Sequence, residues 1–254
     1  MEITVLGSGT SMGIPVVGCH CAVCRSTDPR DKRTRSSVLI KVSGKTILID
    51  TSIDFRTQAL REDIQYLDAV LFTHHHVDHI LGLDDLRSLT LFNHYTIPIY
   101  ASGTTLQNIR RVFAYIFDDT PAISDIPRIR AHEIDERPFS IGGVSIVPIP
   151  IMHGPLPILG FRIGDFAYCT DVSDIPEKSL GLLQNLQVLI LGALRYKPHP
   201  THFNFEQAVA TAQKIGAKQT FFTHIAHQVS HAEAIEKLPD GISLAYDGMR
   251  IIIE

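Results

Sequence analysis

Short apolar runs separated by turn residues set the rhythm of the first part of this chain, and they have the length and β-branched content of strands. Ile3–Leu6, Ser37–Val42, Thr46–Asp50 and Ala69–Thr73 are predicted strands. Ser43-Gly44 supplies a hairpin turn between the second and third. A helical period begins at Val77 and runs to about Phe92, where Ile80, Leu83, Leu86, Leu89 and Leu91 recur. It returns over Thr104–Phe117, with Leu106, Ile109, Val112, Phe113, Ile116 and Phe117 on one face. Strands follow at Phe139–Ile149, Leu159–Ile163 and Phe166–Thr170, then a helix at Ser179–Leu186 and strands at Val188–Leu191 and Gln219–Thr223. Asn204 with Gln207 three residues on starts a helix that Gly216 ends, and Ser230 with Glu233 starts another. Strands near Ile242–Tyr246 and Arg250–Ile253 close the chain. Periodicity alone therefore says mixed α and β.

The 254 residues contain no linker, repeat or low-complexity tract, so residues 1–254 read as a single domain with ample chain for a core. The net charge of −4 leaves no electrostatic footprint for a nucleic-acid binder. Arg25, Arg30, Lys32, Arg33 and Arg35 cluster locally and read as a solvated loop, with attraction of anionic substrates as the second reading. The first strand begins almost at Met1 and no apolar run approaches membrane-spanning length, so a soluble cytoplasmic protein is expected. Four cysteines in a reducing compartment point to metal or packing rather than disulfides.

The chemistry concentrates in Thr73-His-His-His-Val-Asp-His79. At a strand exit, residues two apart point the same way, so His74 and His76 can reach one cation. Asp78 and His79 open the next element and can face a second cation beside the first, which is a template for two-metal hydrolysis. Three more candidate ligands sit where strands end: His153 in a Gly/Pro loop, Asp171 after Phe166–Thr170, and His224 after Gln219–Thr223. Separately, Cys19, Cys21 and Cys24 form Cys-x-Cys-x-x-Cys, a zinc signal that lacks a fourth ligand. Cys169, inside a strand, reads as core. Gly7–Gly13 follows a strand, but Ile14-Pro-Val-Val-Gly-Cys does not open the helix that a dinucleotide loop requires.

In these residues the sequence resembles the metallo-β-lactamase fold superfamily, in its phosphodiesterase branch, and the match runs from the first strand to Asp247-Gly-Met249. The resemblance implies an α+β fold, the four-layer αββα sandwich. It implies two catalytic cations, zinc or manganese: His74, His76 and His153 hold one, Asp78, His79 and His224 the other, and Asp171 bridges. Asp78 and His202 are the implied catalytic residues, His202 by contact with the scissile phosphate and proton donation, with His199 as alternate or plain loop residue. Asp50 resembles the family's first-motif aspartate, supporting the His loop from behind. The cyclic-phosphate phosphodiesterases of bacterial phosphonate breakdown share the Cys triplet, the Thr-His-x-x-His-Gln segment and the Asp-Gly-Met ending. By that resemblance Cys19, Cys21, Cys24 and His227 hold one structural zinc. His75, His94, His132 and His231 read as surface or helix-end residues.

Two divalent cations against two carboxylates leave a positive site that a monoanionic diester would bring near neutrality. The expected partner is a small cyclic or nucleotide-type phosphodiester, with no membrane and nucleic acid disfavoured; relatives imply a homodimer. The rival readings are a ribonuclease Z-like tRNA 3′-processing endonuclease, a lactone or thioester hydrolase, and a non-catalytic metal-binding scaffold. Asp118–Arg130, with Pro121 and Pro127, reads equally as a lid or as an ordinary connection.

Overall fold

Alternation of side chains along each strand sorts the apolar residues into three separate layers. In Ser37–Val42 (β2), Val38 and Ile40 face one way and Leu39 the other; in Lys45–Ile49 (β3), Ile47 and Ile49 oppose Leu48. The same split separates Phe166 and Tyr168 from Ala167 and Cys169 in Phe166–Cys169 (β10), and Val188 and Ile190 from Leu189 and Leu191 in Val188–Gly192 (β11). Strands apolar on both faces must be covered on both faces. Two sheets meet through the middle layer, and helices cover each outer face. The result is an αββα sandwich in the computed structural model, which describes residues 1–118 and 125–254.

The remaining strands of the first sheet are β1 (Glu2–Gly7), β4 (Ala69–Leu71), β5 (Ile97–Ala101), β6 (Ile129–Glu133) and β14 (Arg250–Ile252). Those of the second are β7 (Phe139–Ile141), β8 (Val144–His153), β9 (Leu156–Ile163), β12 (Gln219–Thr223) and β13 (Ile242–Leu244). The orders are β14-β1-β2-β3-β4-β5-β6 and β13-β12-β11-β10-β9-β8-β7. Each sheet has an antiparallel flank and a parallel flank: β3 through β6 run parallel, as do β10 through β13. The carboxyl ends of both parallel sets lie along one edge of the sandwich. There the backbone N–H of Leu159 donates to the carbonyl of Thr73 at 3.1 Å, tying the two sheets together.

Several elements differ from the sequence reading. The expected helix over Val77–Phe92 is broken into Val77–Ile80, a 3-10 turn at Leu81–Asp85, and Leu86–Asn93. Gly82 lies so close to the Ser52 carbonyl that a Cβ would stand 2.1 Å from it, so the chain must tighten there to pass. Phe139–Ile149 is not one strand but a hairpin, because Gly142 and Gly143 both take positive φ. Thr104–Phe117 divides into Gly103–Val112 and Ala114–Phe117. Strands β5 and β6 and the helix Phe55–Arg61 were not expected. In β5, Pro98 masks a clean alternation of Ile97, Ile99 and Ala101. Of the lid-or-connection segment, residues 119–124 lie outside the described residues, and Ile129 and Arg130 pair with β5 as an edge strand. No described helix is long and apolar enough to cross a membrane.

Arg25 and Arg30 of the basic cluster are solvated as expected, but Arg33 is not. The Arg33 side chain is fully buried, bonded to Asp31 at 2.9 Å and to the Val229 carbonyl at 2.9 Å. Arg30 pairs with Asp28, and Arg35 with Asp54. A buried guanidinium requires such partners, because desolvation otherwise outweighs its attraction to any single charge.

Candidate metal centre

Three of the residues that build the site follow strand ends in the left-handed region. Asp50 comes directly after β3 with φ 63°, Asp171 two residues after β10 with φ 53°, and His224 directly after β12 with φ 59°. For residues with a Cβ this costs on the order of 1–2 kcal/mol each. The turn it makes aims each side chain along the edge rather than onto a sheet face. Gly192, at the end of β11, leaves room for this: a Cβ there would stand 3.0 Å from the Asp171 nitrogen. Neighbouring chain holds the turn after β12, since Ile225 exchanges backbone hydrogen bonds with Ser8 and Thr10 of the Gly-rich loop. Ser8 and Thr34 in turn bond the Asp247 carboxylate.

Two groups of donors converge. The donor atoms of His74, His76 and His153 lie within 4.8 Å of one another, as do those of Asp78, His79, Asp171 and His224. Asp171 stands between the groups: its carboxylate oxygens are 3.3 Å from His79 Nε2, 3.2 Å from His224 Nε2 and 3.9 Å from His74 Nε2. All seven are buried except His76, which is exposed at the mouth. His153 closes β8 rather than lying in a loop; the following turn at Gly154 leads directly into β9.

The far sides of the His74, His79 and His153 rings are held. Asp50 accepts from His79 Nδ1 at 2.7 Å and from the N–H and hydroxyl of Thr73 at 2.8 and 2.9 Å. Thr73 Oγ1 also lies 2.9 Å from His74 Nδ1. His153 Nδ1 donates to the Thr201 carbonyl at 2.7 Å. Such contacts fix the tautomer and present Nε2 inward. The Thr201 contact has no signal in sequence, because a backbone carbonyl is common to every residue.

Electrostatics and satisfaction both fit divalent cations. Among the described residues, His74 Nε2 and His224 Nε2 are buried without a hydrogen-bond partner, an arrangement that would be costly unless something else binds them. Burial, with His79 beside it, holds His74 well below the ordinary imidazole value; His76, though exposed at the mouth, is lowered too by partial loss of solvent around its ring and by His153 beside it. Neutral imidazoles are the ligand form. Burial opposes charge on Asp171, yet His224 and His79 hold its carboxyl well below the usual range. Burial also opposes charge on Asp78, and His79 with His224 overcomes it. Burial would lower His79, but Asp171, Asp78 and Asp50 push it well above the usual value, a sign that this point attracts positive charge.

His202 leans over both groups. Its ring centroid lies 4.5 Å from that of His153 and 4.8 Å from that of His224, nearly parallel to the latter. Burial, with His224 beside it, lowers it to about 3, so the resting ring is neutral. A donor atom of His202 also falls within 4.8 Å of His153 and Asp171 donors. His199 is farther out, its Nδ1 accepting from the Thr201 N–H at 3.3 Å.

A second cluster lies three residues beyond His224. Cys19, Cys21 and Cys24 place their sulfurs 3.2, 3.5 and 3.7 Å from His227 Nδ1. The backbone N–H of Cys24 and the neighbouring cluster groups lower the Cys21 thiol to about 6, and burial raises Cys24. Four such donors suit tetrahedral zinc. Cys169 is plain core, with burial pushing its thiol up to about 12. Of the two readings of His231, surface or helix end, the structure shows the second: it opens the helix His231–Ile235, buried, its backbone N–H donating to Asp31.

The profile of the β-lactamase superfamily domain matches residues 45–225. The chain belongs to the metallo-β-lactamase superfamily. Its paired His/Asp cluster brings together donors that could hold metal ions. An octanoyltransferase of Porphyromonas gingivalis is 45% identical over 258 residues, covering 100% of this chain and 52% of that protein. The chain thus spans about half the length of the first curated relatives it matches. The crystal structure of a new diphosphatase from the PhnP family is 45% identical, with a TM-score of 0.93, and the match covers 100% of this chain and 98% of that one. Zinc-bound PqqB from Methylobacterium extorquens shares the metallo-β-lactamase fold with this chain at 20% identity and a TM-score of 0.77, covering 100% of both.

Proposed function

We propose that this protein is a binuclear metal-dependent phosphodiesterase acting on small cyclic or nucleotide-type phosphate diesters. The observation that carries the reading is the pairing of the two donor groups through Asp171, with His202 over both. Similarity to a PhnP-family diphosphatase along the whole chain supports attack at phosphorus. When bound, two divalent cations lower the pKa of a water and neutralise charge on the phosphoryl oxygens. His74, His76 and His153 would hold one; Asp78, His79 and His224 the other; Asp171 would serve both. His202, neutral at rest, would take up a proton as the anionic phosphate comes against it, hydrogen-bond an oxygen, and pass that proton to the departing alkoxide, returning to neutral imidazole. Asp50, Thr73 and the Thr201 carbonyl keep the rings from turning. Cys19, Cys21, Cys24 and His227 would hold a structural zinc.

Both zinc and manganese suit His and Asp ligands. The test loads the protein with each metal and assays bis(4-nitrophenyl) phosphate, 2′,3′-cyclic nucleotides, a diphosphate diester, a lactone and a thioester. Turnover concentrated on the phosphate esters is expected. Comparable rates on the lactone or thioester would overturn the reading.

A further inference from the structure

The edge that carries the metal centre continues past it. Between the carboxyl ends of β5 and β6 and the start of β9 lies a cavity of ≈ 420 Å³. That is enough space for an organic group of substrate size. Leu159, which lines the cavity, donates its backbone N–H to the carbonyl of Thr73, the residue before His74. His75 lines the cavity, and its ring centroid is 5.7 Å from that of His76. One extended segment, His74–His76, therefore has metal-facing side chains on one side and a cavity wall on the other.

The walls have a definite chemistry. Ile134, Leu156 and Pro157 give them apolar faces, and Thr104 a hydroxyl. Among the described residues no lysine or arginine lines them. The ten-residue helix Gly103–Val112 points its N-terminus at the cavity, and such an end attracts anions. That place is already taken. Gly103 lacks a Cβ, and one built there would stand 2.7 Å from the Glu133 carboxylate oxygen. Asp135 and Glu136 are paired with Arg137 and Lys178 at the rim. A phosphate or carboxylate entering here would meet Glu133, with no lysine or arginine among the described lining residues to offset it. A neutral group with hydroxyls would instead find an acceptor in Glu133 and an apolar face to lie on.

We propose that this cavity is the subsite for the organic arm of the ester, taking a neutral, hydroxyl-bearing group with an apolar face, such as a nucleoside. The proposal rests on the phosphodiesterase reading. The test uses Thr104→Trp, which fills the cavity from an exposed position, and Glu133→Lys, which reverses its charge. Each is assayed on the nitrophenyl ester of thymidine 5′-monophosphate and on methyl nitrophenyl phosphate, with melting temperature as the folding control. Binding of adenosine 5′-monophosphate to the metal-loaded protein is measured by calorimetry. Both variants should lose about tenfold in kcat/KM on the nucleoside ester, the size of one lost hydrogen bond to a charged group, and less than twofold on the methyl ester. Equal losses on the two esters, or none on either, would overturn the subsite while leaving the phosphodiesterase reading intact. If neither ester is hydrolysed but both variants still weaken nucleotide binding about tenfold, the subsite stands and the phosphodiesterase reading falls. If neither hydrolysis nor binding responds, both fall. Should Thr104→Trp melt early, Glu133→Lys decides alone.

Discussion

At the scale of single residues, Asp171 is the most connected group in the site. It is buried and ionised, and it lies within 3.2–3.9 Å of imidazoles from both donor groups. Asp171→Ala should therefore lower bound metal and phosphodiester turnover together, with turnover falling to background. Metal analysis alongside a nitrophenyl diester assay checks this, and full activity in the variant would defeat the shared-carboxylate arrangement. His202 calls for a different measurement. A proton donor matters when the leaving oxygen is a basic alkoxide and little when nitrophenolate departs unaided. His202→Ala should slow a 2′,3′-cyclic nucleotide by about 10²–10⁴-fold and bis(4-nitrophenyl) phosphate far less. Equal losses would make His202 a phosphate-binding group, and loss of metal would make it a ligand, which its closeness to His153 and Asp171 gives geometric room for.

At the scale of elements, the segment from β12 to Val229 joins two centres. His224 and His227 are three residues apart, yet one faces Asp78 and Asp171 and the other the cysteine sulfurs. The positive φ at His224 turns the chain between them, and Arg33 anchors its far end at the Val229 carbonyl. His224→Ala should remove activity while melting stays near that of the parent. His227→Ala or Cys21→Ser should release one zinc and lower the melting temperature by on the order of 10 °C, since a structural zinc contributes directly to folding. Zinc counting with thermal melts separates the two. Unchanged zinc and melting in the His227 and Cys21 variants would remove the structural site.

At the scale of the whole molecule, charge bears on the choice between small esters and tRNA. The chain carries −4 overall, and much of the basic cluster at Arg25–Arg35 is engaged: Arg33 buried against Asp31, Arg30 with Asp28, Arg35 with Asp54. Affinity for a tRNA backbone would require free cations arrayed along a surface. The metal-loaded protein should therefore leave pre-tRNA uncut under conditions where it turns over small diesters, and should not retard tRNA in a gel at about 0.15 M salt. Specific cleavage at the 3′ end would favour the ribonuclease Z reading instead.

What the sequence determined by itself follows from local rules. Apolar periodicity gave a mixed α and β chain, with the four layers coming only from the resemblance; Asn204 with Gln207 gave a capping box that forms as expected, and the compact run His74–His79 announced metal chemistry. Strand-end positions of Asp171 and His224 were legible because apolar runs stop there. Contacts between distant segments were not. The approach of Gly82 to Ser52 breaks a helix that periodicity would have kept whole, and Arg33 is buried only because Asp31 and Val229 fold around it. The Thr201 carbonyl behind His153 and the Glu133 carboxylate over Gly103 likewise join residues far apart in the chain. A linear pattern records which face a residue prefers; which partner meets that face depends on how the two sheets are registered, and only the packed sandwich decides that.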